Sequence, residues 1–303
     1  MPDPRYAFIT AYLKGEEARL VTSEHIDKMS SASNIQDALE IIRDTDIGSY
    51  FEELTIKTFG DIDEYLWVYF RQCLERLQCF KFLPDDILKL SRAYIVKYDV
   101  LNIKAALQGI LTDEKAHMIP MGVIYDYGLL RELLNTENLD GIIEALTKCK
   151  LGDYASILRE HEKDINGGAK SRLVIETRLD EEYYESLLNI TGGLKDGSVF
   201  SKAFSFIMDI TNLQIACRAI VNGIGVEASE YTISGGYMIP GKVAKELLSL
   251  KLTDIPGKLE NTQYHDAAQE ILIGYERAKN ITVIDEIIDK HKFRLLKEIL
   301  APR

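Results

Sequence analysis

A chain of 303 residues with 46% hydrophobic content holds enough apolar material for one large core or two smaller ones. Its formal charge of −12 sets it against polyanionic partners, since nucleic-acid phosphates and an anionic membrane leaflet would both repel it. The cysteines Cys73, Cys79, Cys149 and Cys217 have no CxxC spacing, so each is expected to be a small buried hydrophobe in a reduced, cytoplasmic chain. The start, Met-Pro-Asp-Pro-Arg-Tyr, has no signal-peptide pattern, and no run of ~20 apolar residues suited to a bilayer is expected.

Taken in order, the segments read as helices. An opening helix carries Tyr6, Phe8 and Leu13 and runs toward Leu20; Leu39 and Ile42 then mark an apolar stretch between Asn34 and Tyr50. A helix opened by Asp63 carries Leu66 and Phe70, and Asp85 to Ile110 is a long periodic run behind Pro84. Met118-Ile119-Pro120 is a turn, followed by a short helix with Leu133-Leu134 and an apolar stretch from Asn138 to Tyr154. Glu176 opens a helix through Leu179 and Tyr183. Ser198 is expected to cap the next, which passes Phe204, Ile210 and Leu213 to a stop near Asn222-Gly223. A second turn, Met238-Ile239-Pro240-Gly241, precedes Leu247-Leu248. The last helix bears the stripe Ile284, Ile287, Ile288, Leu295, Leu296 and Ile299. Val174-Ile175 and Tyr231-Thr-Ile233 are too short for a sheet, while Asn166-Gly-Gly168, Thr191-Gly-Gly193 and Ser234-Gly-Gly236 punctuate helices. The expected class is all-α.

Two of these helices carry the same phrase. Asp99-Val-Leu-Asn102-Ile-Lys104 matches Asp209-Ile-Thr-Asn212-Leu-Gln214 at a spacing of 110 (209 − 99), and a Met-Ile-Pro turn follows each. Asn34…Tyr50 and Asn138…Tyr154 match in the same way, with a weaker third copy at Leu259–Tyr264. Such long-period repetition implies pseudo-equivalent units, here near 1–110, 111–222 and 223–303, with no linker between them. Within each phrase, Asp and Asn lie one turn apart on a partly apolar helix face. Groups buried there need partners, so Asp99 with Asn102 and Asp209 with Asn212 are expected to bond neighbouring helices and fix register. A metal site fits less well, because no His or third acid recurs beside either pair.

Chemistry finds little else to stand on. The histidines His25, His117, His161, His265 and His291 have no metal-binding spacing. Gly192-Gly-Leu-Lys-Asp-Gly197-Ser198 opens like a phosphate loop but has Ser198 where the lysine is needed. The run Tyr65, Trp67, Tyr69, Phe70 reads as core packing. No catalytic, cofactor-binding or metal residue is expected, and no turnover by the isolated chain.

The phrase Tyr98-Asp-Val-Leu-Asn-Ile-Lys104, the turns at Pro120 and Pro240-Gly241, the Leu259–Tyr264 element and the opening Tyr6-Ala-Phe…Gly15-Glu-Glu17 resemble, in order and spacing, the C-subunit family of A/V-type ATP synthases, whose eukaryotic V-ATPase members are known as the d subunit. The resemblance covers essentially the whole chain. It implies a funnel of three helical units around a central cavity, set between the rotor axle subunits and the membrane proteolipid ring and passing torque between them. It further implies a cytoplasmic protein peripheral to the membrane, with no nucleic acid, no small-molecule substrate and no cofactor. The first unit lacks the pair, having Arg5 and Phe8 instead, and a third pair would fall near 309 to 312, so the third unit is expected to be incomplete and its last apolar stripe exposed. The competing readings are a helical-repeat scaffold for a peptide or regulatory protein and, less well supported, a hydrolase.

Overall fold

The computed structural model describes residues 4–80, 83–112, 117–163, 169–194 and 197–300. Among them there are helices and no strand. The Asn166-Gly-Gly168 cluster, Lys195 and Asp196 of the glycine-rich loop, and the terminal Ala301–Arg303 lie outside the described residues. The chain divides into two compact units, one of residues 1–98 with 118–126 and one of 99–117 with 127–303.

The first unit holds α1 (Pro4–Glu17), α2 (Ser23–Met29), α3 (Ile35–Ile41), α4 (Asp46–Glu52), α5 (Phe59–Gln78), the start of α6 (Asp85–Thr112) and the short α7 (Val123–Asp126). Short helices are marginal alone, and here side-chain caps start α2, α3 and α4 as well as the longer α5. Thr22 and His25 form a reciprocal box on α2, Asn34 accepts from Asp37 N at 2.9 Å, and Thr45 accepts from Gly48 N at 3.1 Å. Thr58 and Asp61 form a second box on α5, which therefore begins four residues before the expected Asp63. Burial then does the rest. Ile42, Phe51 and Ile56 form a small core with Val21, Met29, Leu39, Ile47 and Tyr65 around it. The aromatic run packs by ring edges, with Trp67 5.4 Å and Phe70 6.1 Å from Tyr98 and Tyr69 5.2 Å from Tyr50.

The second unit holds the rest of α6, then α8 (Leu130–Leu134), α9 (Leu139–Lys148), α10 (Gly152–Glu160), α11 (Ala169–Gly192) and α12 (Gly197–Val221). After a 3-10 turn (Gly225–Tyr231) come α13 (Gly241–Leu248), α14 (Ile255–Lys258), α15 (His265–Ala278) and α16 (Thr282–Leu300). The helix α12 packs against α11, α13 and α16, and α16 packs also on α15. Its buried residues Phe206, Ile210, Leu213, Ala216 and Cys217 join Leu247, Ile255, Ile271, Ile284 and Ile288 in one core. By length and composition α12 could cross a bilayer, contrary to the expectation from sequence. However, 72% of its apolar window is buried in the protein, as a core helix requires.

Three local expectations change. The first residue of α12 is Gly197, so Ser198 sits inside the first turn instead of capping it. The helix does stop at Gly223, where φ of +69° lets Ile224 N reach back to Ala219 O at 2.9 Å. Second, the described part of the terminal stripe is largely covered: Ile284, Ile288 and Leu295 are buried against α12 and α15 and Ile287 and Leu296 are half-buried, while the Ile299 side chain lies outside the described residues and Phe293, off the stripe, is exposed. Third, only Cys149 and Cys217 are buried; Cys79 is exposed and Cys73 half-buried, its Sγ accepting from Arg76 Nη2 at 3.0 Å.

Candidate functional site

An extensive polar arrangement lies where α12 meets the loop before α13. Asp209 and Asn212 are both fully buried on one face of α12. Asp209 Oδ1 accepts from Tyr237 N at 2.8 Å and Ile239 N at 2.7 Å; Oδ2 accepts from Met238 N at 2.7 Å and the Tyr264 hydroxyl at 2.8 Å. Asn212 Nδ2 donates to Ile233 O at 3.0 Å and Ile239 O at 2.9 Å, and its Oδ1 accepts from Ile233 N at 2.8 Å. Two side chains thus satisfy backbone groups of Ile233, Tyr237, Met238 and Ile239 in a loop that has no regular structure of its own. Gly236, at φ +94°, makes the approach possible: a Cβ there would stand 2.3 Å from Asp209 Oδ1. Pro240 ends the loop and precedes α13, which starts at Gly241.

Burial pushes the Asp209 carboxyl above its ordinary value, and the three backbone amides and the Tyr264 hydroxyl pull it back. The Tyr264 phenol is pushed up strongly, first by burial and then by the Asp209 charge. Four donors converging on two oxygens suit a carboxylate and leave it little capacity for a metal or substrate.

Asp99 and Asn102 are likewise fully buried, on the part of α6 that belongs to the second unit. Burial, with the Asp99 charge added, pushes the Cys149 thiol up to about 11, and burial with the charges of Glu182 and then Asp99 raises the Tyr154 phenol. Two residues beyond each Asn, the repeated phrase makes a second kind of bond. Lys104 Nζ lies 2.5 Å from Asp180 Oδ1 on α11, and Gln214 Nε2 lies 2.6 Å from Asp285 Oδ1 on α16. Arg218 Nη1 also bonds both oxygens of Asp285 at 2.9 Å.

Sequence reasoning missed Glu181, Tyr264 as a partner of Asp209, and the acids Asp180 and Asp285. Glu181, 8% exposed on α11, accepts from Ser234 N at 3.1 Å and Ser234 Oγ at 3.0 Å, and its other oxygen pairs with Arg178 at 2.5 Å. The Ser234–Ile239 segment is therefore held from two sides. A signal for Tyr264 exists in the sequence, since it closes the repeated Leu259–Tyr264 element; nothing distinguishes the acids from the solvated charges around them.

The remaining candidates are dispersed. His25 caps α2, His265 Nδ1 lies 2.9 Å from Pro256 O, and the buried His291 has Nε2 3.2 Å from Glu270 Oε2 on α15. Pro120 is half-buried just before α7. Among the described residues no three of His, Cys, Asp and Glu group as metal ligands would.

Comparison with known proteins adds an independent finding. The family model described as ATP synthase (C/AC39) subunit matches residues 9–301. The chain is similar to the A-type ATP synthase C subunit of Methanocaldococcus jannaschii, with 25% identity over 297 residues, spanning 94% of this chain and 72% of that one. It is similar to the A-type ATP synthase C subunit of Methanosphaera stadtmanae at 23% identity, with 98% and 76% covered. The same protein of Pyrococcus horikoshii is 22% identical, with 97% and 78% covered. No solved structure matches the chain.

Proposed function

Because the chain belongs to the ATP synthase (C/AC39) subunit family, and so is a subunit of a rotary ATPase, we propose that it is the non-catalytic central-stalk part, passing torque between the rotor axle and the membrane proteolipid ring. The family match over residues 9–301 carries this reading. On it, the chain works on the cytoplasmic side, peripheral to the membrane, and takes neither nucleic acid nor a small-molecule substrate.

Torque transmission demands stiffness. A part that carries torque must resist shear between its helices, and apolar contacts alone resist sliding poorly because they are non-directional. Directional bonds at fixed positions oppose it. The Asp209 and Asn212 pair would act as a structural lock, binding no ligand, and the Asp99 and Asn102 pair would do the same in its own surroundings. Lys104–Asp180 and Gln214–Asp285, which occupy the same place in the repeated phrase, support a division into pseudo-equivalent helical units near 1–110, 111–222 and 223–303.

The test is affinity purification of the tagged chain from membranes of the source cell, with crosslinking. Axle and ring subunits should be recovered crosslinked to it. Recovery of the complex with crosslinks only to stator subunits would overturn the torque role. Recovery of soluble regulatory proteins alone would favour a helical scaffold.

A further inference from the structure

The loop fixed by Asp209 and Glu181 has another side, and that side faces a cleft. The cavity, of about 610 Å³, is lined by Arg178 and Glu181 of α11, Ser229 of the 3-10 turn, Thr232, Ser234 and Gly235 of the loop, and Gly241, Lys242 and Lys245 of α13. We propose that this cleft docks a carboxylate-rich segment of a partner protein.

Charge points there first. Among the described lining residues three cations meet one carboxylate, the opposite balance to that of a chain whose formal charge is −12. The carboxylate is already engaged: Glu181 bonds Ser234 through one oxygen and Arg178 through the other. Lys242 and Lys245, one turn apart on α13, are exposed, and neither has an ion-pair partner among the described residues. Glu246, the acid nearest Lys242 in sequence, is paired with Lys258 at 2.9 Å. Arg178 is half exposed and bonds Glu181 through Nη1, leaving guanidinium donors for a second carboxylate.

Shape and rigidity point the same way. The volume is that of a site for a ligand of many atoms, whereas a lone phosphate would leave most of it to water. Its walls are mostly polar, which disfavours an apolar helix face and suits extended backbone with acidic side chains. The loop wall is preorganised by the buried bonds from Asp209, Asn212 and Glu181, so little ordering is left to oppose binding. This inference goes beyond torque transmission and does not depend on it, because the isolated chain suffices for its test.

The probe is a short fluorescein-labelled peptide of alternating Asp and Gly, followed by anisotropy at low salt, with a Lys/Gly peptide as the comparison. The acidic peptide should bind and weaken with added salt, and the basic one should not compete. Lys242→Glu with Lys245→Glu should weaken binding at least about tenfold, while Lys57→Glu with Lys163→Glu, an equal charge change on exposed sites elsewhere, should change it less than about twofold. On the wild-type chain, the peptide should slow hydrogen exchange at residues 229–234 and 241–245. Absence of binding, equal loss in the control variant, or displacement of the peptide by inorganic phosphate at equal concentration would overturn the proposal. Binding of pyrophosphate without peptide would assign the cleft to a small anion instead.

Discussion

Replacing Asp209 by Ala removes the acceptor of four hydrogen bonds at once. Two of the donors, Tyr237 N and Met238 N, belong to exposed residues and can turn to water. The other two, Ile239 N and the Tyr264 hydroxyl, belong to residues with 0% exposure and cannot. A buried donor left without a partner costs about 1–3 kcal/mol, so the pair sets a gross penalty of about 2–6 kcal/mol. Losing a desolvated charge offsets part of it. A net cost of about 3 kcal/mol is expected, and for a unit of this size that lowers the melting temperature by about 6–12 °C. Calorimetry on the whole chain measures the shift. Hydrogen exchange at Tyr237–Ile239 localises it, since those amides should lose protection before the core of α12 does. A melting temperature within about 1 °C of wild type, with unchanged protection in the loop, would show that these bonds do not hold the loop.

Gly236→Ala should destabilise by at least about 1–3 kcal/mol in the same assay, because a Cβ would meet Asp209 Oδ1 at 2.3 Å and the residue sits at φ +94°. Asp99→Ala should cost about 1–3 kcal/mol from the loss of a fully buried carboxylate, and an unchanged denaturation midpoint would count against a structural role for that pair. With its pKa raised, Asp209 binds a proton more tightly in the folded chain than in the unfolded one. That contribution to stability is full below the ordinary value of 3.8 and is lost as pH rises through the folded-state value, so wild type should lose stability relative to Asp209→Asn over that interval. Urea titrations of both proteins across the acid range would check this, and a constant difference would contradict it.

Much of the local structure was legible in the sequence because it is encoded locally. Apolar spacing from Asp85 onward gives α6 over Asp85–Thr112, and Asn222-Gly223 stops α12 because glycine tolerates the left-handed turn that closes the helix. Capping was less legible. Thr58 with Asp61 started α5 before the more obvious Asp63, and Gly197 took the place expected for Ser198 as a boundary, since a cap depends on backbone geometry as much as on residue type. The Asp-x-x-Asn phrase could be recognised as a buried polar pair from its spacing and apolar flanks. Its partners could not be read in the same way. That Asp209 would reach residues 237–239 and the hydroxyl of Tyr264, 55 positions away, depends on how α12, the loop and α15 fold together. The same holds for Glu181, Asp180 and Asp285, acids among many acids until packing brings a serine loop, a lysine or an amide within reach. Helices close their hydrogen bonds within a few residues, so composition and period suffice to find them. A buried charge finds its donors through space, and only the tertiary structure decides which acids are solvated and which hold a loop in place.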